Sequence, residues 1–492
     1  MKKRQRPISA NIREVAKYMK TRLGVGVSYD VGFRKLIIQK KEVQIYYVNG
    51  FVDVVAIVEL IQTLSEINDI ETNQRKLFEI IENRIVNEQV DILSTMDEVI
   101  DELLAGLVII FVEDEDKAFA LDIRSTPGRS PEEPDTERVV RGSRDGYTEN
   151  IVVNTVLTRR RIRDERLRHE MMRIGERSKT DVCISYIQDI ADDRFVNMIK
   201  HILSEIEIDG ISMADKAIEE YMADHKINPF PIVRYTERPD VAAHHLLSGH
   251  VVVMVDTSPS VMILPTTYFD HLEHAEEYRQ TPTVGTFTRW IRILAVLASL
   301  FLLPLWYLYV KEPNLLPEAL SFIGPEKEGN IPIFLQIILA LAGIEFLRMA
   351  AIHTPTPLAT ALGLIAAVLI GQIAVDVGLF SPEVILYVAI ATIGFYVTPS
   401  YELGVANRLI LIFILIMTAL FEVSGFMIAI TLSILYLVYM KSIRTPYLWP
   451  LIPFHGEAMF NFLLRIPVPY SFKRPSYVNP KDVYRQKPIK KD

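Results

Sequence analysis

Polar and apolar positions are patterned in two different ways along this chain. Up to about residue 285 they alternate with the short periods of strands and helices. Beyond residue 290 the apolar positions fuse into long runs. In the first part, KLIIQ and VQIYYV are β-rich stretches separated by a short polar turn, which predicts a hairpin. LVIIFV and AFALDI flank the acidic turn EDEDK and predict a second one. Residues 52–67 and 74–105 carry apolar side chains at helical spacing. STPGRSPEEPDTE, rich in Pro, Ser and charge, reads as a linker. After it, helical spacing at 149–175, 192–206 and 211–226 alternates with the strand-like stretches VCISYI, PIVRYT, HVVVMVD and SVMILP. Short helices set between strands predict layered α/β packing.

The second part is different in kind. Residues 293–310, 384–401 and 423–440 each run for 18 residues without a charge, and 349–375 runs for 27 counting His353 as neutral. A bilayer core of about 30 Å needs roughly 20 helical residues. A soluble core could hold one such run but not a series of them. The expected fold class is therefore an α/β cytoplasmic region of two subdomains followed by an all-α polytopic membrane domain. The expected domains are 1–125, a linker at 126–144, a second α/β unit at 145–285, a membrane domain at 286–455 and a basic tail at 456–492. The stretch 409–440 is too long for one crossing and can bend around Gly425. Either four or six crossings would leave both ends on one side.

Charge divides at the same boundary. Residues 1–285 carry 37 Lys+Arg against 49 Asp+Glu, a net −12; the remainder carries 16 against 12, a net +4. An acidic front half argues against nucleic acid as a partner, since phosphate binding needs a basic face. The tail 456–492 has eight Lys+Arg and three acids, which places it in the cytoplasm by the positive-inside rule. The N-terminus has charges without an apolar stretch behind them, unlike a secretory signal. The one cysteine, Cys183, sits in an apolar strand and reads as a small core residue.

Candidate chemistry is sparse. The histidine-rich stretch HLEHAE lacks the HExxH spacing of a zinc site, and no P-loop or GxSxG motif occurs, so neither a metal, a cofactor nor a catalytic residue is expected. Two features do stand out. GIEFLRMAAI sets Glu345 and Arg348 three residues apart inside an apolar segment, where a helix puts them on one face. Charges at that depth usually face a bundle interior or water. Gln372 lies within another apolar run, and Asp376, Glu402, Arg408 and Glu422 lie at or near run ends. These residues could line an ion path, or the Glu345–Arg348 pair could simply hold the bundle; spacing alone leaves both open. The second feature is polar. TERPD supplies Thr236, Glu237, Arg238 and Asp240, with Asp240 placed to cap the helix that follows. RRRIRDERLRHEMMR, with Arg159, Arg160 and Arg161 at its start, reads as a solvated or inter-subunit helix face. Both predict structural or subunit contacts.

Several stretches in order carry a family resemblance: RGSRDGYTEN, NTVLTRRRIRDERL, IGERSKTDVCISYI, PFPIVRYTERPD and HVVVMVDTSPSVMILPTTY, then GQIAVDVGLFSP, TPSYEL and SIRTPYLWPLIP. Across nearly its whole length the chain resembles the A-subunit family of GerA-type spore germination proteins. Thr257 stands where nutrient-receptor members usually have Gly, which sets this chain apart from them. The resemblance implies a multi-pass protein of the inner spore membrane. It also implies a ring-shaped homo-oligomer, a pentamer, that passes monovalent cations when germination begins. Implied partners are small membrane subunits or germinant receptors, and membrane lipid. The alternatives are a non-conducting scaffold that clusters receptors, and a nutrient-receptor A subunit.

Overall fold

The computed structural model describes residues 6–69, 76–85, 90–125, 137–223, 228–325, 330–353, 363 and 367–486. The middle of the expected linker and much of 354–366 lie outside these residues. The chain packs into two units. One comprises Met1–Lys226, Val233–Pro265 and Pro467–Asp492; the other comprises Ile227–Ile232 and Thr266–Ile466.

The first unit contains the same arrangement twice. Its first half runs α1 (Ile12–Leu23), β1 (Val31–Ile38), β2 (Lys41–Val48), α2 (Val54–Glu66), α3 (Leu77–Arg84), β3 (Val90–Leu93), α4 (Met96–Ala105), β4 (Val108–Val112) and β5 (Ala118–Leu121). The second half runs α5 (Ile151–Arg161), β6 (Leu167–Ile174), β7 (Thr180–Ile187), α6 (Asp193–Ser204), α7 (Ala214–Met222), β8 (Arg234–Thr236), α8 (Pro239–Ser248), β9 (Val251–Val255) and β10 (Val261–Leu264). The sheets have matching orders, β1-β2-β4-β5-β3 and β6-β7-β9-β10-β8, and every pairing is antiparallel. In the first half, α1 and α4 bury Met19, Val99 and Leu103 on one sheet face. Helices α2 and α3 bury Leu64 and Ile81 on the other. Covering both faces explains why β4 and β5 read as unbroken apolar runs rather than alternating ones.

Two sequence expectations need correction. The helical reading of 74–105 is broken by strand β3, which pairs with β5. The helical reading of 149–175 ends at Arg161, and LRHEMMRI is a strand in register with β7 over its whole length. Arg, Glu, Met and Leu favour helices, but propensity is a weak prior that sheet pairing overrides.

Matching turns use matching backbone. Gly106 and Gly249 end α4 and α8 with φ of 106° and 103°, a left-handed conformation that glycine adopts without strain. In the β4–β5 turn Asp114 has φ 66°, and at the same offset after β9 Thr257 has φ 71°. Aspartate tolerates this region; a β-branched threonine does not.

The two halves are joined by a buried ion pair. Asp30, before β1, accepts from Arg159 Nε at the end of α5 at 2.6 Å, and both side chains are 1% exposed. Arg159 also donates to the carbonyls of Asp164 and Leu167, while Ser28 donates to Asp30. Burial would raise the Asp30 pKa, but Arg159 and His169, with the hydrogen bonds of Arg159 and Ser28, bring it down to about 2.

The C-terminal segment from Pro467 packs against the second half. Lys481 Nζ donates to Gln188 O at 2.7 Å, Arg474 Nε donates to Leu247 O at 2.8 Å, and Tyr477 OH bonds His250 Nε2 at 2.8 Å. His250 stacks edge-on against His245, with ring centroids 4.6 Å apart, and Arg234 faces His245. Burial, and Arg234 nearby, lower the His250 pKa to about 4.

The second unit is a helical bundle. Short helix α9 (Ala275–Arg279) leads into α10 (Pro282–Lys311), followed by α11 (Ile333–His353), α12 (Pro382–Val397) and α13 (Tyr401–Tyr439), then α14 (Gly456–Leu463). Three of these, α10, Ile333–Ala351 of α11 and α13, are long and apolar enough to cross a membrane. Contacts give each helix its direction. The start of α10, here termed the near end, holds the 461–465 segment, with Arg289 donating to Phe462 O at 2.7 Å. At its far end Lys311 reaches Ala419 O and Glu422. Helix α11 starts at the far end, where Phe334 meets Tyr307, and finishes near Tyr401. Helix α12 runs from Tyr387, beside Trp306, toward Gly394, whose missing Cβ lets it touch the Ala295 carbonyl. Helix α13 does not run straight. Glu422 has φ 55° and ψ −132° inside it, and a Cβ on Gly425 would collide with the Met417 carbonyl. In a straight helix those residues would lie about 12 Å apart, so the chain reverses at Glu422, three residues before the expected bend. Gly378 pairs with Asn330 at the far end. Among the described residues, α10, α11, α12 and the two arms of α13 each run along the bundle between its near and far ends.

Thr257→Gly relieves about 1–2 kcal/mol of left-handed strain, and a rise in the thermal midpoint of the first unit's transition checks this. His250 gives the first unit a definite pH window. Its pKa in the fold lies below its free value, so its contribution to stability is fully present above pH 6.5 and is lost as pH falls toward 4. At pH 5 the loss is about 2 kcal/mol; denaturant unfolding of the first unit, compared with a His250→Gln variant, should show this loss between pH 7 and 5 in the wild type alone.

Candidate functional site

An apolar helix can carry a charge at membrane depth only where that charge finds a partner. Glu345 lies eight residues before the end of α11, about 12 Å along the axis. It meets not one arginine but two. Arg348 Nε donates to Glu345 Oε1 at 2.8 Å from the next turn of the same helix. Arg408, 63 residues away on the first arm of α13, donates to Glu345 Oε2. Each guanidinium lies over an aromatic ring: Arg348 is 5.0 Å from the Tyr401 centroid and also donates to its hydroxyl, and Arg408 is 4.1 Å from that of Phe395. Cation–π contact is strongest where water is excluded. The side chains are 29%, 14% and 10% exposed for Glu345, Arg348 and Arg408, so the arginines are the better shielded. One carboxylate and two guanidiniums leave the cluster at +1.

Beside it lies a small cleft lined by Ser299 of α10, Thr392 and Phe395 of α12, Thr398, and Asn407 and Arg408 of α13. Ser299 and Thr398 donate to carbonyls of their own helix. The Thr392 hydroxyl and the Asn407 side-chain N–H group are buried without a hydrogen-bond partner among the described residues.

The other ion-path candidates lie apart from this cluster. Gln372 is exposed in a π-helical stretch, Ala367–Ile373, and Asp376 is exposed just beyond it. Glu402 sits in the first turn of α13 and accepts from Ser400. Sequence spacing identified the Glu345–Arg348 pair but not the link to Arg408, because no local pattern joins residues 63 apart.

At the near end a second carboxylate is treated in the same way. Glu277, 1% exposed, holds Arg289 at 2.6 Å and also Arg292. Arg465 reaches back to the Tyr278 carbonyl at 2.9 Å.

The polar motifs of the first unit converge inside its second half. Arg238, fully buried, donates to Asp240 and to the carbonyls of Glu137 and Ser143. Arg161 donates to Asp145 and Ser143. Thr236 donates to Glu137 and accepts from Arg238 N, while Glu237 O accepts from Tyr147 N. Asp240 is not the N-cap expected of it: α8 begins at Pro239, and Asp240 occupies its first turn, bonded to Arg238. Arg160 is exposed. The three stretches RGSRDGYTEN, NTVLTRRRIRDERL and TERPD thus contribute to one packed polar knot.

Residues 17–477 match the Bacillus/Clostridium GerA spore germination protein family. The chain is 57% identical to stage V sporulation protein AF of Bacillus subtilis over 95% of each chain. It is 30% identical to spore germination protein KA of the same organism, covering 98% of this chain and 90% of that one. Among solved structures it is similar to the N-terminal domain of the A subunit of the Bacillus megaterium spore germinant receptor GerK3. That match has 27% identity, covers 53% of this chain and 96% of that domain, and has a TM-score of 0.42.

Glu345→Leu leaves two shielded guanidiniums without a counter-charge and should cost about 3–5 kcal/mol. The triple variant Glu345→Leu, Arg348→Leu, Arg408→Met should recover most of that loss, because replacing a whole buried ion cluster by apolar groups is close to neutral. Thermal unfolding of the detergent-extracted chain measures both.

Proposed function

The chain belongs to the GerA family of spore germination proteins, and from that premise we propose that it is a non-enzymatic subunit of a membrane assembly. In this reading several copies surround a passage for monovalent cations that opens at the start of germination, in the inner spore membrane with the chain's two ends in the cytoplasm. The observation that carries the reading is the stretch Ala367–Asp376. Its π-helical backbone and the exposed Gln372 and Asp376 lie between apolar helices. Irregular backbone and polar side chains at membrane depth persist only against protein or water, not lipid. A ring of copies would supply both, with Gln372 and Asp376 facing the water. A carboxylate at such a mouth raises the local cation concentration. Glu345, Arg348 and Arg408 then act as a latch between α11 and α13 rather than as the filter itself, and Glu402 sits at the near-end mouth. The soluble unit's polar knot holds the face through which copies or receptor subunits meet.

A non-conducting scaffold is the second reading. It is favoured by Glu345 itself, whose carboxylate is taken up by two arginines and offers no net negative charge to a passing cation.

Potassium flux from proteoliposomes separates the two. Conduction predicts measurable flux from the wild-type protein, lowered roughly tenfold in Gln372→Leu, the effect of about 1.4 kcal/mol added to a barrier. An assembled wild-type protein that passes no potassium or sodium would leave the scaffold reading standing.

A further inference from the structure

We propose that the cleft between α10, α12 and the first arm of α13 is a binding site for one small inorganic anion of halide size. Three observations converge on it. The neighbouring cluster carries one more guanidinium than carboxylate, and Arg408, the extra cation, lines the cleft directly. Its hydrogen bond within the described residues uses Nη1, toward Glu345. Next, the unpaired groups on residues that line the cleft are donors or can donate. Asn407 is 4% exposed; its side-chain oxygen accepts from Tyr268 OH at 3.4 Å, and its buried N–H group has no partner among the described residues. Thr392 is 9% exposed, and its hydroxyl has no partner among the described residues. A buried donor left without an acceptor carries its full desolvation cost, so an acceptor at this point is strongly favoured. Finally, the space admits about one water-sized body. That excludes a lipid phosphate or a carboxylic acid and leaves a monatomic ion or a water. Only the anion also offsets the cluster's surplus charge, and a cation is opposed by Arg408.

The anion makes the arrangement complete. Arg408 divides its donors between Glu345 and the bound ion, and Asn407 and Thr392 fill the remaining coordination. Chloride thereby ties α12 to α13 at the point where Arg408 already ties α13 to α11. This site does not depend on whether the protein conducts, since it is argued from the packing of a single copy.

The test uses the full chain in detergent, with sodium chloride exchanged for sodium gluconate at constant ionic strength; gluconate is too large for the cleft. The wild-type melting temperature should rise with chloride and saturate, and bromide should substitute. Asn407→Asp places a carboxylate in the cleft. It should raise the melting temperature in gluconate and abolish the response to chloride. Thr392→Val, which keeps the shape and removes the hydroxyl, should shift half-saturation to about tenfold higher chloride. Identical wild-type curves in the two salts would overturn the proposal. So would a chloride response of undiminished size in Asn407→Asp, because it would then arise elsewhere on the protein.

Discussion

A carboxylate withdrawn from water must be met by positive charge, and at three places in this chain arginines meet it, at least one of them each time from another element. Asp30 is held by Arg159, Glu277 by Arg289 and Arg292, and Glu345 by Arg348 and Arg408. Each clamp stands at a junction. The first joins the two halves of the α/β unit, the second joins the start of α10 to the segment before it, and the third joins α11 to α13. Because removing one partner of a buried pair costs more than the pair itself contributes, these clamps specify which elements meet. Arginine suits such a junction because its planar group can bind a carboxylate, donate to carbonyls and lie on a ring at once, as Arg159 and Arg408 do between them.

Around the first clamp the α/β unit is a tandem of one architecture. Element order and strand order match between the halves, and so do the left-handed glycines that end the helix before the fourth strand of each. That glycine recurs for a steric reason. The helix must stop and turn immediately into a central strand, and a φ near 105° admits no ordinary side chain. The hairpin turns show the contrast, with Asp114 in one half and a strained Thr257 at the same place in the other. Strain of this kind persists only where surrounding structure holds it; here Thr257 N is tied to the Glu149 carbonyl at 2.8 Å.

In the bundle, close approach and polar chemistry sit together. Gly394 and Gly425 let backbones touch where any side chain would intervene. Near the first of these contacts lie the cleft and the Glu345 cluster. Small residues permit the approach, the approach excludes lipid, and excluded lipid makes buried polar groups tolerable. The exposed polar groups at Gln372 and Asp376 are the counterpart on the outside of a single copy.

What the sequence determined by itself was set by periodicity and by forbidden environments. Apolar runs of membrane length, the two hairpins of the first subdomain and the pairing of Glu345 with Arg348 follow from spacing alone, since each is local. The conversion of LRHEMMRI into a strand and the reversal at Glu422 rather than at Gly425 were not local. Neighbouring elements decided them against residue propensity. The partners of the buried charges were less local still. Arg408 is 63 residues from Glu345, and Arg159 is 129 from Asp30. No period reaches that far. Only folding, by removing water from both members at once, makes such pairs necessary and so selects them.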